Sequence, residues 1–295
     1  MLPKIVIPAA GMGTRLLSIT KEIPKEMLPL FSKRPNGLIC LKPIVQLVFE
    51  QLFDCGFREF CFIVGRGKRT VEDHFSPDHN YLRQLKTSGK NQESIDLEDF
   101  YMKIEESTIV WINQPTAKGF GDAVLQTKSF TKDEPFIVHA GDTYIASNGE
   151  EHIRQIIPNI KKDVITTLCL LQVTETEQYG IAEITGSKQP YSVKKVIEKP
   201  EKPPTNLGIM PIYLFNDKIY EALKSTEPGE NGEIQLTDGI QKLIEWNHKV
   251  VAYELKEALH LDIGNPRSYW NAQKTSYNQI VKDQDTKLDK VNRYN

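Results

Sequence analysis

A glycine-containing loop is the first place in this sequence where chemistry can be expected. The segment Pro8-Ala-Ala-Gly-Met-Gly-Thr-Arg15 directly follows an Ile- and Val-rich strand candidate, Lys4 to Pro8. Small residues let the backbone approach a ligand, and consecutive N–H groups in such a turn form a site for anions. Arg15 adds a fork of donors suited to phosphate. The loop therefore predicts phosphate binding, with a tight turn that serves only packing as the alternative.

The spacing of this loop does not match two common phosphate motifs. A dinucleotide fingerprint needs a third glycine, but Leu16 stands at that position. A Walker loop needs Gly-Lys followed by Ser or Thr, which is also absent here. Local spacing alone therefore does not identify the ligand.

The loop and the segment after it together resemble the sugar-1-phosphate nucleotidylyltransferase family. Ala10-Gly-Met-Gly-Thr-Arg15 is followed by Pro24-Lys-Glu-Met-Leu-Pro29, as in the family pattern A-G-x-G-T-R and P-K-x-x-L-P. The second motif is closer to the uridylyl enzymes of bacterial and archaeal type than to the thymidylyl enzymes. The resemblance extends through separated motifs to about Tyr277. It implies Mg²⁺-assisted transfer of UMP from UTP to α-D-glucose 1-phosphate by in-line attack, without a covalent intermediate.

The resemblance also implies which residues bind the nucleotide. Gln114-Pro-Thr-Ala-Lys-Gly-Phe-Gly-Asp-Ala-Val124 is similar to the family's Q-x-x-A-x-G-L-G-x-A-V. A glutamine amide can match the N3–H and O4 edge of uracil, although a strand-end surface residue is the alternative for Gln114. The family usually has histidine where Asp122 stands, so no role is assigned to Asp122. The expected nucleotide contacts are Ala9, Ala10, Gly11, Gly13, Thr14, Arg15, Lys25, Gln114 and Gly119.

Metal and sugar residues are carried over from the same resemblance. Asp142, at the end of a strand, and Asp262, in Leu261-Asp-Ile-Gly264, match the family's Mg²⁺ ligands. Each could instead be a helix cap or a turn residue. The motifs Tyr179-Gly-Ile-Ala182, Ile197-Glu-Lys-Pro200 and Asn206-Leu-Gly208 imply four sugar contacts: Gly180, Glu198, Lys199 and Asn206. The catalytic cations are then Arg15, Lys25 and Lys199.

The sequence leaves open several alternative functions and the roles of two segments. Thymidylyl transfer, transfer to another hexose 1-phosphate, and a catalytically silent regulatory subunit are the rival functions. Retention of Arg15, Lys25, Asp142 and Asp262 together argues against the silent subunit. The segment Ser32 to Leu41 departs from the family pattern and could alter a subunit contact or the nucleotide entrance. Gly232-Glu-Ile-Gln-Leu-Thr-Asp238 matches the family pattern, but we expect it only to position and pack.

The elements that must hold these residues can be read from short apolar runs. Because the runs are continuous, they predict a mostly parallel sheet with both faces covered by helices. Helices are predicted after Pro43 and around residues 236–244, a β-hairpin around 181–197, and a polar surface excursion at 78–106. The fold class implied is α/β, a Rossmann-like doubly wound mixed sheet with a smaller sugar-binding β subregion. The predicted strands are Lys4 to Pro8, Phe60 to Val64, Ile109 to Ile112, Phe136 to His139 and Ile165 to Leu171.

Length and composition limit the remaining possibilities. We expect one domain over 1–280 of the 295 residues, with a nucleotide-binding half at about 1–145, a sugar-binding half at about 146–265, a C-terminal helix, and a polar tail at 281–295. A net charge of -2 gives no polycation for nucleic acid. Four cysteines without a CxxC pair are typical of buried thiols in a reducing compartment. With no long apolar run, we expect a cytoplasmic protein that binds no membrane and forms a homodimer or homotetramer.

Overall fold

The computed structural model describes residues 2–34, 36–147, 150–159, 163–229 and 232–292, with side chains described up to residue 282. Within these residues the strands are β1 Lys4–Pro8, β2 Pro29–Lys33, β3 Ile39–Pro43, β4 Glu59–Val64, β5 Thr108–Asn113, β6 Phe136–His139, β7 Thr143–Ser147, β8 Thr166–Gln172, β9 Gly180–Thr185, β10 Tyr191–Glu198, β11 Leu207–Phe215, β12 Val250–Glu254 and β13 Ala258–Asp262. The helices are α1 Leu17–Thr20, α2 Ile44–Asp54, α3 Arg69–His74, α4 His79–Thr87, α5 Asn91–Glu105, α6 Phe120–Leu125, α7 Lys128–Thr131, α8 Glu151–Arg154, α9 Lys218–Lys224, α10 Leu236–Glu245 and α11 Pro266–Asn292.

A mixed sheet is the main element of the fold. Nine strands of the described residues pair in the order β5-β4-β1-β6-β11-β8-β12-β10-β9. The strands β5, β4, β1 and β6 are parallel, so their carboxyl ends lie at one edge. Strand β11 then lies antiparallel between β6 and β8. Among the described strands of the second half only β8 and β12 are parallel, while β9, β10 and β11 pair antiparallel with their neighbours. The sheet is therefore mixed, as the fold class implied, and the expectation of a mostly parallel sheet holds only for the first half.

Hydrophobic side chains cover both faces of the sheet. Ile5 and Ile7 of β1 pack with α2 on one face, while Val6 packs on the other face with residues of α9 and α10. All three are fully buried, which explains why the strand reads as a continuous apolar run rather than an alternating one. This arrangement confirms the doubly wound fold class, and all five predicted strands are present.

Helix α2 shows how local sequence sets an element boundary. It begins at Ile44, directly after Pro43, whose backbone angles are extended. The helix ends at Asp54, and Gly56 takes a positive φ of 99° just beyond. A positive φ is strained for residues with a side chain, so Gly56 lets the chain turn back toward β4.

The segment that departs from the family pattern forms the hairpin β2–β3, in which Ser32 pairs with Cys40. Helix α11 holds one strand of this hairpin: Gln273 Nε2 and Tyr269 Oη donate hydrogen bonds of 2.8 Å and 3.2 Å to the carbonyl oxygen of Pro29. Arg34, the residue after β2, forms an ion pair of 3.1 Å with Asp96 of α5. The hairpin is therefore connected to two helices of its own chain.

The C-terminal segment is helical for most of its length, and the cysteines differ in burial. Helix α11 continues through residues 281–292 of the segment expected as a polar tail, and 293–295 lie outside the described residues. The four cysteines are free thiols, of which Cys61 and Cys169 are buried while Cys40 and Cys55 are only half-buried. Among the described residues, no helix has the length and hydropathy that a bilayer crossing requires.

Candidate active site

A cleft of about 430 Å³ opens at the carboxyl ends of β1, β5 and β6. It brings together most of the predicted site residues: Ala10, Gly11, Gly13, Thr14, Arg15, Lys25, Gln114, Gly119, Asp142, Gly180, Glu198, Lys199 and Asp262. Two predicted residues do not line it. Ala9 is buried beneath the loop, and its N–H donates to Ile63. Asn206 is exposed just before β11, and its backbone carbonyl accepts from Val173.

Different structural features require the two glycines of the first loop. Gly13 has φ 65° and ψ 29°, the left-handed region that favours glycine. The Thr20 hydroxyl donates to the Gly13 carbonyl at 2.8 Å and holds this turn. A Cβ added to Gly11 would lie 3.3 Å from Lys25 Nζ. The loop and the lysine of the second motif therefore pack directly against each other.

Lys25 and Asp142 form an ion pair at one end of the cleft. Burial alone would raise the pKa of Asp142, but the attraction and hydrogen bond of Lys25 outweigh it and hold this pKa below its ordinary value. Burial alone would lower the pKa of Lys25, but Asp142, Glu26 and Asp262 together raise it above the ordinary lysine value. Both groups therefore stay charged.

Asp262 reaches the same end of the cleft through a different strand. It ends β13 and pairs with Thr143, the residue after Asp142. The N–H of Gly264 donates to Asp262 Oδ2 at 3.0 Å. A Cβ on Gly264 would lie 3.4 Å from Arg15 Nη2 as well as close to this carboxylate. The cleft thus gathers two carboxylates and two cations from four separate parts of the chain.

A second buried ion pair lies beside the first, and sequence reasoning missed it. Lys68 Nζ lies 2.7 Å from Glu26 Oε2, and the two side chains are 7% and 1% exposed. Glu26 also lines the cleft, and its Oε1 has no hydrogen-bond partner among the described residues. Burial raises the pKa of Glu26 even though Lys68 and Lys25 act against it. The position of Lys68, in the loop after β4 at the same edge of the sheet, was the signal that could have identified it.

Gln114 has an ordered amide. The side chain is 4% exposed, and its Nε2 donates to Asp122 Oδ2 at 2.6 Å and to the Gly119 carbonyl at 3.3 Å. Asp122, to which the sequence assigned no role, is therefore the nearest partner of the residue expected to contact the base.

The two glycines around Phe120 admit the backbone of Ile234. A Cβ on Gly119 would lie 2.7 Å from the Ile234 carbonyl oxygen, and a Cβ on Gly121 would lie 2.8 Å from the same atom. Two backbone hydrogen bonds fix this contact, from Gly121 N to Ile234 O and from Ile234 N to Lys118 O, each 2.8 Å. The missing side chain of Gly119 thus makes room for Ile234, a reason the sequence did not show. Its contact with a base stays a prediction.

The residues expected on the sugar side lie where β10 ends. Glu198 is the last residue of β10, and Lys199 takes a positive φ of 40°. This change of direction lets neighbouring side chains reach the same cleft, and their charged groups lie 3.2 Å apart. Thr237 donates a hydrogen bond of 2.7 Å to Glu198 Oε2. Thr237 belongs to the segment that we expected to position and pack, and it positions the carboxylate of Glu198.

Comparisons with known proteins show what this chain is similar to. A family model described as "Nucleotidyl transferase" matches residues 4–279. The UTP–glucose-1-phosphate uridylyltransferase of Bacillus subtilis (strain 168) is 36% identical over 266 residues, covering 88% of this chain and 86% of that protein. The protein of the same name from Streptococcus pneumoniae serotype 4 is 34% identical, covering 98% of this chain and 94% of that protein. A solved structure of UDP-glucose pyrophosphorylase complexed with UDP-glucose is 30% identical, with a TM-score of 0.79, covering 95% of this chain and 100% of that one.

The contact at Ile234 predicts the effect of a single methyl group. We expect Gly121→Ala to lower the free energy of unfolding by about 1–3 kcal/mol, because the new Cβ overlaps packed backbone. Gly229→Ala is the matched control, since the nearest atom to its Cβ would be 3.8 Å away. Urea unfolding of both variants measures the difference, and equal stabilities would contradict the close contact.

The buried pair of Lys68 and Glu26 predicts that a single variant is less stable than the double variant. Lys68→Met leaves the Glu26 carboxylate buried without its partner, so we expect a loss of about 3–5 kcal/mol of stability. Adding Glu26→Gln to this variant should recover most of that loss, because the buried charge is removed. The exposed pair of Lys249 and Asp163, 2.8 Å apart, is the control, and Lys249→Met should cost less than about 1 kcal/mol. Chemical denaturation of the four proteins tests this, and a double variant as unstable as the single one would contradict it.

Proposed function

Because the chain belongs to the nucleotidyl transferase family, we propose that it transfers UMP from UTP to α-D-glucose 1-phosphate, giving UDP-glucose and pyrophosphate. The observation that carries this proposal is the single cleft that joins the glycine loop with Arg15 and Lys25 to the pair Glu198 and Lys199. The first group suits a triphosphate and the second suits a phosphorylated sugar. The names of the relatives supply the identity of both substrates.

The reaction needs charge placement more than covalent chemistry from the protein. A phosphate oxygen of glucose 1-phosphate attacks the α-phosphorus of UTP, a new P–O bond forms, and the bond to pyrophosphate breaks. The nucleophile is already ionised at neutral pH, so no residue has to act as a general base. Arg15 and Lys25 offset the negative charge of the triphosphate, and Lys199 orients the phosphate of the sugar. Such preorganised charges are the main source of rate in phosphoryl and nucleotidyl transfer.

The carboxylates of the cleft fit a Mg²⁺ ion that is completed by substrate. Asp262 pairs with Thr143, the residue next to Asp142, and both carboxylates line the cleft. The described residues contain no group of three or more side chains that could hold a metal by themselves. Mg²⁺ commonly takes one or two carboxylates and completes its shell with phosphate oxygens and water. When bound there, the ion would neutralise charge on the phosphates of UTP.

Recognition of the base and sugar follows from the same cleft. Gln114 supplies the amide for the imide edge of uracil, and Gly119 borders that position. Glu198, held by Thr237, accepts hydrogen bonds from sugar hydroxyls. Thymine differs from uracil by one methyl, which pockets commonly discriminate by about 10–200-fold. Self-association as a homodimer or homotetramer stays a prediction.

A pyrophosphate-release assay over several nucleoside triphosphates and sugar 1-phosphates tests the proposed reaction directly. We expect UTP with glucose 1-phosphate to give the highest kcat/KM. A higher value with dTTP or with another hexose 1-phosphate would replace the proposed substrates. Absence of pyrophosphate release from every pair would overturn the proposed activity.

The role of Asp142 predicts a large loss of rate. We expect Asp142→Ala to lower kcat by more than roughly 10²-fold, comparable with the removal of one preorganised electrostatic element. Circular dichroism and thermal unfolding should show that the variant remains folded. Asp133→Ala, an exposed aspartate outside the cleft, is the control and should keep its kcat. A near-normal kcat for the Asp142 variant at saturating Mg²⁺ would contradict its assignment.

The proposed role of Glu198 predicts a loss of activity that is selective for the sugar substrate. Glu198→Gln keeps an oxygen that can accept from Thr237 but loses the charge, so we expect kcat/KM for glucose 1-phosphate to fall by the equivalent of about 1–2 kcal/mol. Binding of UTP with Mg²⁺, measured by calorimetry, should stay nearly unchanged. Glu183→Gln on the neighbouring strand β9 changes the same charge outside the cleft and serves as the control. If UTP binding weakens instead, the two ends of the cleft have been assigned the wrong way round.

A further inference from the structure

We propose that Asp122 is a positioning residue that selects the pyrimidine base, by determining which end of the Gln114 amide faces the substrate. The inference rests on the proposed function, because it requires Gln114 to contact the base of the nucleotide. It adds a residue to which neither the sequence motifs nor the proposed mechanism assigns a role.

The contacts of Gln114 allow only one orientation of its amide. Its nitrogen donates to Asp122 Oδ2 at 2.6 Å and to the Gly119 carbonyl at 3.3 Å. Carboxylate and carbonyl oxygens accept hydrogen bonds and cannot donate them. An amide turned by half a rotation would place its oxygen against both of these acceptors. Asp122 therefore holds the nitrogen, and the carbonyl oxygen of Gln114 is the atom left for a ligand in the cleft.

Asp122 is itself held in place. It lies in helix α6, directly after Gly121, whose N–H donates to the Ile234 carbonyl. Its other carboxylate oxygen, Oδ1, accepts from Gln126 Nε2 at 3.3 Å. With a donor on each oxygen, the carboxylate has little freedom to leave Gln114.

An acceptor at this position distinguishes the pyrimidines by their N3 atom. Uracil carries a hydrogen at N3 and can donate it to the Gln114 carbonyl oxygen. Cytosine has a bare nitrogen at N3, so two acceptors would face each other. A site built around a hydrogen bond rejects the analogue that cannot make it, because a buried polar group is left unpaired. Asp122 thereby favours UTP over CTP without touching either.

The test compares Asp122→Asn with the unaltered enzyme. Asparagine keeps the shape of aspartate, but its amide can donate as well as accept, so both orientations of Gln114 become available. Calorimetric titration with UTP and with CTP, each with Mg²⁺, measures the ratio of the two binding constants. Steady-state kinetics with each triphosphate measures the ratio of kcat/KM. We expect both ratios of UTP to CTP to fall by about tenfold, with the KM for glucose 1-phosphate unchanged.

Three further variants separate positioning from a structural role. Asp122→Ala removes the nearer of the two acceptors and leaves only the 3.3 Å contact with the Gly119 carbonyl, so it should also lower the ratio and keeps the test valid if one variant is unstable. Asp122→Glu retains an acceptor-only group and should preserve the preference for UTP. Asp133→Asn, an exposed change of the same charge, should leave the ratio as it is.

The outcomes distinguish this inference from the proposed function. If the unaltered enzyme binds UTP well and CTP poorly, and the ratio falls in Asp122→Asn and Asp122→Ala only, Asp122 has the assigned role. If UTP and CTP weaken by the same factor, or if the ratio does not change in a folded variant, the inference is overturned while the proposed function stands. If the unaltered enzyme binds no UTP, the proposed function fails and the inference fails with it.

Discussion

The close approach of the Ile234 backbone to Gly119 and Gly121 is the constraint on which the shape of the cleft depends. Side chains at either glycine would overlap this backbone, so the contact exists only because both residues lack one. It connects the loop after β5 to the segment that leads into α10. Three residues beyond Ile234, Thr237 holds Glu198. A displacement on the nucleotide side would therefore reach the sugar side through a short stretch of hydrogen-bonded backbone.

Charge compensation is the second principle of the site. Lys25 is paired with Asp142, Glu26 with Lys68, and Glu198 with Lys199. Ionised groups are costly to bury without a partner, so the cleft can hold many charges only as pairs. Polyanionic substrates fit such a site because a phosphate group can replace a carboxylate as the partner of a lysine. The side chains of Glu26 and Lys68 are almost completely buried at the wall of the cleft, whereas Lys199 is about half exposed and accessible to a ligand.

The sequence predicted well what depends on local pattern. Strand β1, its glycine loop and the charged residues of the motifs lie where the spacing and the resemblance placed them. Pairing across the sheet could not be predicted in the same way. The direction of β11 and the partnership of Lys68 with Glu26 depend on contacts between segments that are distant in the chain. The sequence assigned no role to Asp122 because its hydrogen bond with the Gln114 amide is visible only in the structure. Asn206 lies outside the cleft although its motif matched.

The hydrogen bonds from α11 to Pro29 have a consequence for biosynthesis. Pro29 closely follows the short turn Lys25–Met27 that carries the cleft lysine, yet Tyr269 and Gln273 lie 240 and 244 residues further along the chain. A ribosome adds roughly 5–20 residues per second. Many seconds therefore pass between synthesis of the turn and synthesis of the two side chains that hydrogen-bond to Pro29. The hydrogen bonds to Pro29 can therefore form only after Tyr269 and Gln273 have been synthesised. A nascent chain that stalls before α11 would lack both of these hydrogen bonds, so the segment that follows the cleft lysine would be held less firmly.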